Sequence, residues 1–319
     1  MRAVRVRQFG GVEALRLEDV ALPEPGPGQV RVRVKAAGVN PVDTYWRAGM
    51  NPSLPLPFTP GLDGAGTVEA LGSGVLRVRV GDPVYFGGWV SGAYAETALL
   101  RETQVHRLHE GASFVQGAAL HVPYATAHRA LFHRGQARAG EWLLIHGASG
   151  GVGIAATQFA LATGLRVIGT AGSTRGRDWL TAQGVHGVLD HTDPNYLQSI
   201  PDLTSGKGVD LILEMLSNAN LGRDLPLLSS EGRVVVIGSR GPVQINARDL
   251  MMREADVRGM SLFNVADDAL IGIHQAIGAA WKSGVVRPVI RCEMPLADVA
   301  RAHEAVMESG ALGKIALVL

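Results

Sequence analysis

The chain has 319 residues, 46% hydrophobic and 18% charged, with a formal net charge of +1. That is long enough for two domains, each with its own core, and too evenly charged for a partner held mainly by electrostatics, such as duplex nucleic acid or an anionic membrane. The single cysteine, Cys292, excludes an intrachain disulfide and a multi-cysteine zinc site. No uncharged apolar run reaches the ~20 residues that span a bilayer, and Met1–Arg7 alternates like a strand rather than a signal peptide, so a cytoplasmic protein is expected.

The first ~115 residues read as short strands and turns. Val4 and Val6 alternate with arginines, Leu15 and Leu17 flank Arg16, and Val30, Val32 and Val34 alternate with Arg31, Arg33 and Lys35. Proline- and glycine-rich turns punctuate them at 23–28 and 72–74. From about Gln116 the texture becomes helical, over Ala118 to Arg134, and then alternates as βαβ. Strands are expected at Trp142–Ile145, Arg166–Thr170, Gly187–Leu189, Asp210–Glu214, Arg233–Ile237 and Val257–Leu262. Helices are expected at Val152–Thr163, Arg177–Gln183, Tyr196–Ile200, Leu221–Leu228 and near Asp249–Arg253. Near-continuous apolar strands such as Leu143–Ile145 and Val234–Ile237 are what a parallel sheet covered on both faces requires. After Phe263 come a helix over Ala269–Gly284, another over Met294–Glu308, and a closing strand from Lys314 to Leu319. These ~55 residues are too few for a domain and are expected to return to the first one. The fold class is therefore α/β, a doubly wound parallel sheet plus a mostly-β module. The expected division is 1–118 with 263–319 against 119–262.

The sharpest signal sits where the 142–145 strand meets its helix. Ala148-Ser149-Gly150-Gly151-Val152-Gly153 is a G-x-G-x-x-G turn with alanine at the first position. Strand, turn and helix start together point to a dinucleotide. Gly150 lets backbone approach a diphosphate, Gly153 lets helix and strand pack closely, and the helix N-terminus supplies N–H donors.

The chain resembles the zinc-independent quinone oxidoreductases of the medium-chain dehydrogenase/reductase superfamily, over essentially its whole length. The resemblance is carried by Gly38-Val-Asn-Pro-Val-Asp-Thr-Tyr45, the Tyr124–Leu131 segment, His146–Gly153, Glu214–Leu221, Val236–Gly241 and Ile245-Asn246. It implies a GroES-like catalytic domain beside a Rossmann domain, NADPH-linked quinone reduction, and a homodimer or homotetramer.

Cofactor choice is read from the end of the second βαβ strand. An NAD site usually places an acid about 20 residues beyond the glycine motif. Here Gly172-Ser173-Thr174-Arg175-Gly176-Arg177 offers hydroxyls and arginines with no acid before Asp178. Those donors suit a 2′-phosphate, which favours NADPH. Relatives often carry a lysine where Gly176 stands, leaving Arg175 and Arg177 as alternative sources of charge. Tyr196 matches a family tyrosine near the adenosine phosphate, with His191 on the same edge. The nicotinamide end should lie at the carboxyl ends of later strands: Met215 and Leu216, Gly238, Ser239 and Arg240, and Leu262 and Phe263. Asn220 and Thr126 match positions that border the cofactor in the family.

Zinc enzymes of the superfamily carry cysteine where this chain has Asn40, and Gly-His-Glu where it has Gly61-Leu62-Asp63. No metal site is expected. Without a Lewis acid, alcohol oxidation is hard, while reducing an electron-poor quinone or conjugated carbonyl remains feasible. Asn40, Asp43 and Tyr45 match the family motif facing the nicotinamide and are the expected catalytic set. Asn40 would donate to a carbonyl, Tyr45 would stack and hydrogen-bond, and Asp43 would orient one of them. Read from the residues alone, Asn-Pro and Asp equally suit a turn after the third strand. Relatives carry an aromatic where Met50-Asn51-Pro52 stands, which opens the choice of acceptor. The alternatives are a 2-alkenal or enone double-bond reductase, or a protein that binds AU-rich RNA. The near-neutral charge disfavours the RNA reading.

Overall fold

The computed structural model describes residues 1–88 and 90–319. Its first seven strands are β1 (Arg2–Val6), β2 (Leu15–Asp19), β3 (Gln29–Val39), β4 (Asp63–Leu71), β5 (Pro83–Gly87), β6 (Thr97–Arg101) and β7 (Val105–Arg107). Six more, beginning with the glycine-loop strand, run in βα alternation: β8 (Trp142–Ile145), β9 (Arg166–Thr170), β10 (Gly187–Leu189), β11 (Val209–Glu214), β12 (Leu228–Val236) and β13 (Asp256–Gly259). Two close the chain, β14 (Ile290–Pro295) and β15 (Lys314–Val318).

The six-stranded sheet has the order β10-β9-β8-β11-β12-β13 and is parallel throughout. Counted from β8, this is 3-2-1-4-5-6, the doubly wound order, with its switch point between β8 and β11. Its central strands are apolar because both faces are covered: Leu143, Leu144, Ile145, Ile212, Leu213, Val234 and Val235 are all fully buried. Each such side chain contributes roughly 1.5–3 kcal/mol. The helix Gly151–Ala162 lies close against the sheet through small residues, with Ala155, Ala156 and Ala160 buried. One polar pair is sealed into the end of this sheet. Arg233 on β12 reaches Glu141 with both guanidinium nitrogens, at 3.0 and 2.6 Å, and donates to the carbonyls of Gly135 and Asp210.

The second sheet runs β14-β15-β3-β4-β5-β7, and β6 pairs with β3 over 29–33 on the edge opposite β4, which β15 takes over 36–39. The eleven-residue β3 is its spine, and period-two burial of Val30, Val32 and Val34 puts their arginine neighbours outward. The closing strand β15 pairs antiparallel with β3, Ile315 opposite Val39 and Leu317 opposite Ala37. That pairing carries residue 314 back beside residue 40.

Several expected elements differ in their bounds: the helix expected over Leu221–Leu228 runs from Ser217 to Asp224, that over Tyr196–Ile200 is a 3-10 turn, and the strand expected from Arg233 begins at Leu228. The helix expected over Met294–Glu308 begins only at Val299, because Met294 and Pro295 are still paired with Leu317 and Val318 in β14–β15. The last sheet strand ends at Gly259 instead of 262, and Leu262–Asn264 is a single 3-10 turn. Residues 121–134 are helical but wound as π-turns either side of Thr126–His128. Among the described residues, no helix is long and apolar enough to cross a membrane.

Candidate active site

The site is built where the carboxyl ends of β8 and β11 face the end of β3. The glycine turn leaves β8 with Gly147 at φ +60° and enters the helix at Gly151. A Cβ on Gly153 would sit 2.3 Å from the Gly147 carbonyl oxygen and 2.5 Å from Ala148 Cα, so side chain is excluded there by the fold itself. At Gly150 the nearest protein atom would be 3.4 Å away, and at Gly151 3.5 Å. Those two positions are open on the side where a diphosphate would approach. The Ser149 hydroxyl is turned away, donating to the Ala311 carbonyl at 2.9 Å.

Opposite the turn, β3 ends at Val39 and Asn40 caps the helix Pro41–Arg47. Instead of the loose turn that Asn-Pro also allows, the chain forms a capping box. Asp43 Oδ2 accepts the Asn40 backbone N–H at 2.8 Å and the Tyr94 hydroxyl at 3.2 Å. Asp43 is therefore buried behind Asn40, where it orients Asn40 and not Tyr45. Burial pushes its carboxyl up to about 6 against the opposing pull of the Asn40 N–H. Asn40 Nδ2 donates to Asp63 Oδ2 at 3.0 Å, and Asn40 Oδ1 accepts from Lys314 Nζ, which also bonds Asp63 Oδ2 at 2.7 Å. Asp63 Oδ1 takes the Val122 N–H at 2.7 Å.

Asn40, Gly150, Gly151, Val152, Met215 and Lys314 all line one cavity of about 220 Å³ between the two sheets. Tyr45 and Arg240 do not line this cavity but meet each other: Arg240 Nε donates to the Tyr45 hydroxyl at 3.0 Å, with the guanidinium 5.9 Å over the ring. This joins an expected catalytic residue to an expected cofactor neighbour. Phe263 packs at a tilt on Trp46, with ring centroids 4.9 Å apart, and, beside the partly buried Leu262, is otherwise exposed. Gly238 approaches Met215 so closely that a Cβ would meet its carbonyl oxygen at 2.4 Å. The Ser239 hydroxyl donates to the Gly241 carbonyl at 2.8 Å. Thr126 is buried on its helix and does not line the cavity.

The Met215–Leu216 bend is held from below. Glu214 Oε1 accepts the Leu216 N–H and, at 3.2 Å, Asn220 Nδ2. Behind it lie His146, 2.8 Å from Asp224, and Tyr196, whose hydroxyl is 3.4 Å from His146 Nδ1. Burial raises the carboxyls of both Glu214 and Asp224 to about 7 and lowers the His146 imidazole. Tyr196 is thus buried under the sheet end with Arg223 over its ring, while His191 meets Thr170 Oγ1 at 3.1 Å. His191 also sits against Gly172, whose Cβ would come 2.6 Å from its Nε2. At the far end, Ser173 caps the helix Thr174–Ala182 by accepting from the Gly176 N–H at 3.2 Å. Arg177 is committed to Asp190 at 2.7 Å, whereas Arg175 is exposed and has no ion pair among the described residues.

Lys314 and Asp224 are the site-building residues that motif reading overlooked. The available signal was a lone lysine at the head of an otherwise apolar closing strand, Lys314-Ile-Ala-Leu-Val.

A doubly wound sheet with an open glycine turn, facing a β-module across a cleft, defines the class as an NAD(P)-binding medium-chain dehydrogenase/reductase. Residues 26–110 match the alcohol dehydrogenase GroES-like domain family and residues 151–272 the zinc-binding dehydrogenase family. The chain is 47% identical to the quinone oxidoreductase of Homo sapiens and 48% to that of Rattus norvegicus, over 100% of this chain and 98% of each relative. A crystal structure of a quinone oxidoreductase from Pseudomonas syringae pv. Tomato DC3000 matches with a TM-score of 0.92 at 32% identity, over 100% of this chain and 99% of that one. A mycobacterial protein complexed with NADPH matches with 0.93 at 28% identity, over 100% of both chains. The chain belongs to the quinone oxidoreductase family.

A catalytic zinc does not fit these residues. Leu62 offers only carbon, Asn40 Oδ1 is occupied by Lys314, and Cys292 on β14 is not among the residues that line the cavity. Among the described residues, the one group of three side chains close enough to share an ion is His146, Glu214 and Asp224, which lies elsewhere.

Proposed function

We propose that this protein is an NADPH-dependent quinone oxidoreductase that works without a metal. The observation that carries the reading is the shared cavity in which Asn40 and Lys314 face Gly150 and Gly151 across the switch point. The relatives' activity as quinone oxidoreductases supports the same substrate class. When bound, the dinucleotide supplies the hydride. The chain's own residues bind, orient and exclude water.

The N–H groups of the glycine turn and the start of the Gly151–Ala162 helix hold the diphosphate. Ser173 and the unpaired Arg175 take the 2′-phosphate, with Gly172, His191 and Tyr196 shaping the adenosine side. Met215, Leu216, Asn220, Gly238, Ser239 and Arg240 border the nicotinamide, with Leu262 and Phe263 around it. Asn40 directs its free amide N–H toward the acceptor, Asp43 positions Asn40, and Tyr45 is held by Arg240. Residues 1–118 and 263–319 act as the catalytic unit and 119–262 as the cofactor unit. Copies associate through the sheet edge at β13. There Met251, Met252, Val257, Val243 and Ile245 are all exposed, more apolar surface than an isolated edge strand usually leaves to solvent.

The test is NADPH oxidation with a panel of quinones set against a panel of 2-alkenals and enones. Quinone rates should exceed enone rates by at least about tenfold. Negligible quinone turnover with brisk enone turnover would replace this reading with double-bond reduction.

A further inference from the structure

Lys314 is buried to 6% exposure beside an Asp63 that is 0% exposed. Removing two charges from water costs several kcal/mol each unless every bonding position is served. Asp63 is fully served, by the Val122 N–H, the Asn40 amide and the Lys314 ammonium. Lys314 is not. An ammonium carries three N–H groups, and only Asn40 Oδ1 and Asp63 Oδ2 accept from it among the described residues. Asn40 Nδ2 likewise has two N–H groups and spends one on Asp63.

The fold makes room for this cation. A Cβ on Gly38 would come within 2.8 Å of Lys314 Cε, so the spine strand is bare where the side chain passes. The Lys314 backbone N–H is fixed to the Val289 carbonyl at 2.9 Å, and β15 is locked in register with β3. Both incompletely used donors, Nζ of Lys314 and Nδ2 of Asn40, belong to residues lining the same cavity.

We propose that the Lys314 ammonium and the Asn40 amide form a two-donor oxyanion site, with Lys314 the fixed cation that polarises the acceptor oxygen in a site without a metal. The inference rests on the quinone-reductase reading. As hydride from the reduced dinucleotide bonds to one carbonyl oxygen of the quinone, its donor C–H bond breaks, the ring π electrons shift, and the π pair of the opposite C=O moves onto that carbonyl's oxygen. Lys314 and Asn40 donate to that oxygen. A proton from solvent then forms the O–H bond, so quinone, hydride and one proton give hydroquinone. Placed donors of this kind are typically worth about 10²–10³ in rate.

Lys314→Met should lower kcat for a naphthoquinone about 10²–10³-fold. The dissociation constant for NADPH, read by fluorescence, should stay within about threefold, and Lys314→Arg should recover part of the rate by restoring a cation. Because Lys314→Met leaves Asp63 uncompensated, Lys314→Met combined with Asp63→Asn serves as a folded, neutral control and should show the same kcat loss. A second readout needs no turnover: 4-nitrophenol titrated by absorbance in the presence of NADP⁺. The wild type should lower the apparent phenol ionisation by at least about one pH unit, a tenfold shift, and both Lys314→Met proteins should abolish it. An intact kcat at saturating NADPH with the whole loss in cofactor affinity would assign Lys314 to the diphosphate and overturn the proposal. So would a phenol ionisation that is the same in wild type and variant. A wild type that reduces no quinone yet still depresses the phenol ionisation would instead sink the substrate reading and leave the oxyanion site standing.

Discussion

Arg175 and Arg177 differ by two positions and by almost everything that matters to a phosphate. Arg177 is neutralised by Asp190, while Arg175 stands exposed at the N-terminus of a helix whose cap is Ser173. A hydrogen bond to a charged group contributes about 1.5–3 kcal/mol. Arg175→Ala is therefore expected to raise the dissociation constant for NADPH roughly 10–100-fold while changing that for NADH less than about threefold. Equal losses for both nucleotides would show that Arg175 is not the 2′-phosphate ligand. Asp43 makes a different prediction. Its carboxyl titrates at about 6 in the folded protein against an ordinary 3.8, so the native state holds the proton more tightly between those values. Stability from this group is fully present below about pH 3.8 and is lost as pH rises through 6. Asp43→Asn keeps an oxygen to accept the Asn40 N–H and removes the titration. The difference in unfolding free energy between variant and wild type should thus shift in the variant's favour by roughly 2–3 kcal/mol from pH 4 to pH 7.5 in urea melts. Taking the difference cancels the buried histidines, such as His303 and His128, which burial holds low and whose slopes run the other way.

The elements that read well are those whose pattern is local. Strands 142–145, 166–170 and 187–189 appear with the bounds their apolar runs predict, and the glycine turn opens its helix one residue before the expected start. Elements that read poorly are decided by a neighbour far along the chain. Residues 290–295 are a strand because β15 lies beside them, though 294–308 carries helical spacing throughout. The glycine turn also separates two glycines that look alike in sequence. Gly153→Ala would force backbone apart at the Gly147 carbonyl. It should cost roughly 1–3 kcal/mol in urea unfolding. Gly150→Ala meets no protein atom closer than 3.4 Å. It should leave stability within about 0.5 kcal/mol and instead weaken cofactor binding. A Gly153→Ala protein as stable as wild type would contradict this account of helix–strand packing.

On the scale of the molecule, the six-stranded sheet ends in an edge strand, β13, flanked by Met251, Met252 and Val257 at 64%, 65% and 39% exposure. Association through this edge predicts a dimer or tetramer by sedimentation equilibrium. Met252→Asp with Val257→Lys should shift it to monomer at micromolar concentration without a change in far-UV spectrum. A wild type that is monomeric at every concentration would remove the edge as an interface. The cavity is likewise a property of the whole. It exists because the last strand returns to the third, bringing Lys314 of β15 against Asn40 beyond β3 and both against the glycine turn.

Sequence by itself determined the doubly wound class, the dinucleotide turn, the acid-free turn at 172–177 and the lack of a cysteine at 40 and a histidine at 62. Each of these is set by residues adjacent in the chain, whose spacing follows from strand and helix geometry. Only the tertiary structure decided which of two arginines has an ion pair, that Asp43 lies buried behind Asn40, and that a lysine 274 positions away bonds to Asn40. Those outcomes depend on which charges burial brings into contact, and strand order, not spacing, determines that.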